Sequence, residues 1–429
     1  MNSSPRAILI WLSLTTVVLF ACAGIPAIGA NETAQVDTPY GPQISLTEHQ
    51  TAVFEEIFGH IEESYIYYKL SDMDWDALHQ EYLDKINQGM SDTEFTELMT
   101  EFEEEFPEGE IVYVTRQERI EADTAANTTT YGGIGAFVNF EPQDVPHVVI
   151  LDVIPGSPAE QAGLKAHDSV YAVNGSPVLL EEGSDVVLRI RGETGTKVTL
   201  TVQSPGKEQR EVEITRATIN SAVGLNASEL PNTDIGYIRM PTVGSTDLMT
   251  EVLNQLEGFQ SNGDFKGLII DLRISGANSN FPLQDMLTLF LDRTIIDIFN
   301  RIQTNTALIE GQDFSGSLEM PIVVLVGEHT SGAAEIFAGA IQEAGRGTVI
   351  GSNTSGSIES LSGFSLSNGA QIFIASTSYR VGGSEQIGIN GLSPEVRVEA
   401  RWDEIDPSKD PVIQNAIDIL EVPVEEVQP

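Results

Sequence analysis

A multidomain α/β protein is predicted by three textures that follow one another along the 429 residues. Residues 46–129 repeat apolar positions at helical spacing. Residues 130–217 alternate as short strands broken by glycines. Residues 218–420 alternate apolar strands with amphipathic helices, the pattern of a parallel sheet covered by helices. A leader at 1–30, a polar linker at 31–45 and a tail at 421–429 complete the division.

The leader carries one positive charge in "MNSSPR", then nineteen uncharged residues from Ala7 to Ile25. As a helix these span about 28 Å, near the thickness of a bilayer core. "PAIGANE" follows, offering cleavage after Ala30, so the segment reads as a signal peptide or an uncleaved anchor. The expected location is extracytoplasmic, with membrane contact only through this segment. Cys22, the single cysteine, lies inside it as an apolar filler. An intrachain disulfide and a cysteine metal cluster are thereby excluded, and no cofactor and no metal are expected. With 64 acidic against 22 basic residues the net charge is −42. Such a surface disfavours nucleic acid and anionic lipid.

In the first texture, "AVFEEIFGHIEESY" sets Val53, Ile57 and Ile61 four apart, and "SDTEFTELMTEFEEEF" turns Phe95, Leu98 and Phe102 inward. Between them "SDMDWDALHQEYLDKINQGM" offers Asp or Ser caps and a glycine stop. The second texture begins at Tyr131. "YGGIGAFVNF" and "HVVILDVI" read as strands, "SPAEQAGL" as a short helix, and "HDSVYAVNG" as a turn and strand. "EGSDVVLRIRG" reads as a second helix, and a hairpin turns around Ser204 to Gly206. His167 is expected to be a turn residue tolerating positive φ. In the third, "IGYIRM", "KGLIIDLR", "PIVVLVGE", "TVIGSNT" and "QIFIASTSYR" are strands. Helices are expected at 246–259, 281–290, 333–344 and over "DPVIQNAIDIL".

Eight blocks in order resemble the carboxyl-terminal processing peptidases, or tail-specific proteases. They are "YGGIGAFV", "SPAEQAGL", "VNG", "RGETGTKVTLTV", "IGYIRM", "KGLIIDLR", "AEIFAGAIQEAGRGTVIG" and "DPVIQNAIDIL". The resemblance implies a helical N-terminal domain, a PDZ domain at 130–217 and a tail-specific-protease core at 218–420. It also implies a Ser–Lys dyad with a nearby Gln, the lysine serving as base once burial lowers its pKa. In this register the three positions are Gly332, Ser357 and Leu361, the first two 25 positions apart as in the family. None of the chain's seven lysines lies between Lys266 and Lys409. After "DLR" the family has a Pro-Gly-Gly turn, whereas "ISGAN" here has Gly276 followed by Ala277 and Asn278, which puts the oxyanion turn in doubt.

Ser331, His329 and Glu335 are the substitute nucleophile, base and acid that stand nearest in sequence. The simpler account is a serine capping the following helix and a loop histidine. The PDZ domain retains what peptide capture needs: a glycine-rich loop for a terminal carboxylate and a strand for pairing. Gly133, Ile134, Gly135, Ala136 and Phe137 are its candidate contacts, opposite a helix near 183–190. The sequence therefore reads as an extracytoplasmic pseudopeptidase that binds peptide or protein C-termini, with an active homologue as a second candidate partner. An active serine-type endopeptidase using non-family residues and a structural envelope protein are the alternatives.

Overall fold

The computed structural model describes residues 45–421 apart from 70, 72, 108, 120–129, 221–222, 262–264, 277–278 and 382–390. The leader with Cys22, the linker up to residue 44, the tail beyond Glu421, and Ala277 and Asn278 lie outside the described residues. Ser45–Pro429 constitutes one compact unit.

Helices α1 (Leu46–Ser64), α2 (Trp75–Asn87) and α3 (Asp92–Glu103) open the unit. Ser45 and Ser91 form capping boxes with Glu48 and Glu94, and Asp74 caps α2. Phe54, Ile57, Ile61, Tyr82, Ile86 and Phe102 are fully buried. This apolar face is not closed by helices alone. It packs on Ile111 of β1 (Ile111–Val114) and on Leu366, Ala370, Ile372, Ile374 and Ala375, from a later strand and the turn before it.

The middle segment runs β2 (Thr130–Gly133), β3 (Ala136–Glu141), β4 (His147–Val153), α4 (Pro158–Gln161), β5 (Ser169–Val173), β6 (Ser176–Pro177), α5 (Val186–Ile190), β7 (Lys197–Gln203), β8 (Arg210–Thr215) and β9 (Ala217–Asn220). Its sheet has the order β3-β4-β5-β7-β8, with β6 on β5, so β3 is an edge strand. β2 pairs with β9. The helix expected over "EGSDVVLRIRG" is broken: a 3₁₀ segment from Leu180 to Asp185 precedes α5, because Gly183 takes φ 51°. His167 has the expected positive φ, 73°.

The remainder comprises β10 (Asn226–Glu229), β11 (Ile235–Arg239), α6 (Leu248–Ser261), β12 (Gly267–Asp271), α7 (Leu283–Phe290), β13 (Thr294–Asn300), β14 (Thr304–Ile309), β15 (Ile322–Val326), α8 (Ala333–Glu343), β16 (Thr348–Gly351), β17 (Ser360–Ser365), β18 (Gln371–Val381), β19 (Val396–Arg397) and α9 (Pro411–Glu421). The central sheet has the order β10-β11-β12-β15-β16-β19. All its pairs are parallel except β10 with β11. β12 and β15 are buried at every position, as strands covered on both faces must be. A second sheet, β1-β18-β13-β14 with β17 on β18, receives the N-terminal helices. β1, β6, β9, β10, β13, β14, β17 and β19 fall outside the strands expected from the sequence.

Trp402 seats the middle segment on the core. Its indole N–H donates to the Ile150 carbonyl at 3.0 Å. The buried His167 ring stacks on it at 4.0 Å and donates to its carbonyl at 2.7 Å. Arg273 lies over the indole, 5.3 Å from the ring centroid, and forms ion pairs with Asp271 at 2.7 Å and Asp410 at 2.8 Å. Val149, Leu151, Ile274 and partly buried Phe137 complete this apolar contact.

Candidate functional site

The strand-to-helix turn after β15 is fixed by its own side chains. Thr330, fully buried, accepts from Gly327 N–H at 3.0 Å and donates to the Leu272 carbonyl at 2.9 Å. The chain then turns sharply at Gly332, with φ 59° and ψ −129°, and enters α8. That conformation favours glycine. Gly332 itself stands at the helix cap and no side chain caps α8, which corrects the expectation that Ser331 does so. A cap needs an extended backbone, and the chain here has already turned to positive φ. The Ser331 hydroxyl is instead directed toward Gly276, where an added Cβ would lie 3.2 Å from it.

Two backbone bonds lay the loop 354–357 along this turn. Ser355 N–H donates to the Thr330 carbonyl at 3.1 Å, and Gly332 N–H donates to the Ser357 carbonyl at 2.8 Å. Gly332 and Ser357 are thus immediate neighbours. Gly332 has no side chain, and Ser357 is exposed. Leu361, on β17 opposite Ala375, is 41% exposed. Position 332 holds no hydroxyl and position 357 no amine.

Ser331, His329 and Glu335 have separate surroundings. No hydrogen bond joins any two of them among the described residues. Glu335 is fully buried and accepts from the Thr354 hydroxyl and from Gly356 N–H at 3.0 Å. Burial pushes its carboxyl above the usual range, the bonds from Thr354 and Gly356 opposing. It holds the loop in place. The His329 ring turns away, toward Glu141 at the end of β3 and Glu328, with Nε2 at 3.8 Å from a carboxylate oxygen of each. Sequence reasoning missed Glu141 and Glu328; no local pattern links a residue on β3 to one after β15.

The glycine-rich loop between β2 and β3 is tightly specified. Ala159 N–H donates to the Ile134 carbonyl at 2.8 Å, and Ile154 N–H to the Gly135 carbonyl at 2.9 Å. Both carbonyls therefore point into the domain. In a trans peptide the following N–H points the opposite way, so the amides of Gly135 and Ala136 face outward. Gly135 is at φ 82°, and a Cβ there would lie 2.3 Å from the Ser157 Cβ. Ile134 is buried in the domain core, and Ala136 and Val138 pack against it. Phe137 packs against the Trp402 contact and lies opposite Asp152 of β4, so its ring is not part of the open edge. Across from β3, Leu180 and Leu188 are 56% and 68% exposed. Gly133 pairs with Ala217.

Three family profiles match this architecture. Peptidase family S41 matches residues 234–398, the PDZ domain 149–204, and the tricorn protease C1 domain 47–102. The chain is 30% identical over 392 residues to a carboxyl-terminal-processing protease of Synechocystis sp., covering 88% of each chain. It is 32% identical over 292 residues to one from Picosynechococcus sp., covering 66% of this chain and 68% of the relative. In fold it is similar to the photosystem II D1 C-terminal processing protease, with a TM-score of 0.60, 20% identity and coverage of 86% of this chain and 97% of the other.

Proposed function

The chain belongs to the carboxyl-terminal processing proteases of peptidase family S41, and we propose that within this family it is a pseudopeptidase: it holds free peptide C-termini in its PDZ domain without Ser–Lys cleavage. One observation carries the reading. The two positions that the family register assigns to the dyad are brought within a 2.8 Å backbone bond, and they offer only a glycine and an exposed serine. A serine hydroxyl needs a base to attack, and Ser357 is not a base near neutral pH.

Peptide capture makes no such demand. The outward amides of Gly135 and Ala136 supply donors for a carboxylate, and the free edge of β3 supplies a template for strand addition. Exposed Leu180 and Leu188 favour an apolar terminal side chain. The acidic surface favours basic peptides, the preference fading as salt rises. Export through Ala7 to Ile25 puts this activity outside the cytoplasm, where the C-terminus of an unfolded protein, or an active homologue, is the partner. A reporter fused after Ala30 that stays cytoplasmic would count against export.

The test is a titration of the unit Ser45–Pro429 with a peptide ending in Ala or Val and with its C-terminal amide. Hydrogen bonds to a charged group contribute about 1.5–3 kcal/mol. The amide is therefore expected to bind about 10- to 150-fold more weakly. Equal affinity for acid and amide removes the peptide-reader proposal.

A further inference from the structure

We infer that Glu141, Glu328 and His329 form a binding site for one divalent transition-metal ion of the zinc class. The site is distinct from the peptide groove and does not rest on the function proposed above. One donor atom from each residue lies within 4.8 Å of the other two. His329 Nε2 is 3.8 Å from Oε1 of Glu141 and 3.8 Å from Oε1 of Glu328. These separations are too long for hydrogen bonds. They lie near the edge of a tetrahedron around an ion with bonds of about 2.0–2.2 Å, which is roughly 3.4 Å.

The second observation is the state of the histidine. Its side chain is 10% exposed, and Nε2 is buried without a hydrogen-bond partner. A buried ring nitrogen left in that state is destabilising, because it has given up its bonds to water for none in the protein. A metal bond removes the deficit, since a neutral imidazole nitrogen is a common metal ligand. The carboxylates are not otherwise neutralised. Among the described residues, no lysine or arginine lies within ion-pair distance of Glu141 or Glu328. The nearby Arg401 pairs with Asp403 at 3.0 Å and reaches Glu404 at 3.7 Å. His147 also donates to Asp403, at 3.0 Å. Glu141 Oε1 accepts from the Asn139 amide at 3.2 Å, which steadies the carboxylate.

One imidazole with two carboxylates suits zinc, cobalt or manganese, whereas calcium and magnesium prefer all-oxygen sites. The half-exposed Glu328 leaves a fourth position open to water. A bound ion would staple the end of β3, the proposed peptide-receiving strand, to the loop that leads into Gly332.

The experiment uses the unit Ser45–Pro429 stripped with chelator. Calorimetric titration with Zn²⁺ is expected to give one saturable site per chain. Titration with Co²⁺ is expected to give the visible bands of a four-coordinate nitrogen–oxygen site. Glu141→Gln, Glu328→Gln and His329→Gln are each expected to weaken binding by about 100-fold, at least what losing an outer-shell partner costs. Glu328 is 51% exposed, so its substitution leaves the packing intact. Absence of a one-to-one zinc isotherm, or binding unchanged in Glu328→Gln, overturns the inference.

Discussion

Replacing Gly332 by serine restores the nucleophile's atoms and tests whether the turn that held them is intact. The backbone at 332 is at φ 59° and ψ −129°, where a residue with a Cβ is strained by about 1–3 kcal/mol. A serine gains nothing as a helix cap there, because a capping side chain needs an extended backbone at its own position. The expected cost of Gly332→Ser is therefore about 1–3 kcal/mol, undiminished by new bonds. Gly332→Ala should cost about as much, since the strain comes from Cβ and not from the hydroxyl. Scanning calorimetry of Ser45–Pro429 should show Tm lowered by roughly 1 °C for each kcal/mol, because the entropy of unfolding grows with chain length. A Gly332→Ser variant as stable as the parent would refute the reasoning, by showing that the turn relaxes and no longer keeps a nucleophile's geometry.

Three further outcomes follow from named contacts. The combined Gly332→Ser, Ser357→Lys and Leu361→Gln variant should not hydrolyse unfolded protein: residue 357 is exposed, and an amine in water keeps its ordinary pKa of about 10.4; turnover in a peptide-release assay would contradict this. Arg273→Ala leaves Asp271 and Asp410 buried without their cation, which should cost about 3–5 kcal/mol in chemical denaturation; a loss below about 1 kcal/mol would contradict it. Buried Glu110 accepts from the Tyr65 hydroxyl, and burial pushes its carboxyl from 4.5 up to about 7 despite that bond. The native state thus keeps a proton on Glu110 that the unfolded chain has lost, so this group's contribution to stability is full below about 4.5 and falls, by at most about 3 kcal/mol, as pH rises to about 7. Glu110→Gln should flatten that slope in denaturation curves at successive pH values, and an unchanged slope would assign it elsewhere.

What the sequence made legible depended on how each element is buried. β12 and β15 are continuous apolar runs because helices cover both faces. α1 and α3 announce themselves through apolar spacing, and the structure adds a capping box to each. β13, β14 and β17 hold mostly half-buried or exposed positions, as in "TNTALI" and "SLSGFS". They carry no clean alternation, so of these strands and β18 only β18 was readable. At the site, the 25-position separation identified Gly332 and Ser357 as partners. Which way neighbouring groups point was not readable. Ser331 lies toward Gly276, and His329 meets a residue from β3 almost two hundred positions earlier. The seating by Trp402, through Ile150, His167 and Arg273, is likewise a long-range fact with no local signature.

The most direct test of the account is mass spectrometry of an unfolded protein with an apolar C-terminus, incubated with Ser45–Pro429 at concentrations where a labelled copy of its C-terminal peptide is bound. The account predicts that the substrate is recovered intact while the peptide remains bound. Time-dependent fragments that disappear in Ser331→Ala would contradict it, identifying Ser331 as a working nucleophile and the chain as an active endopeptidase.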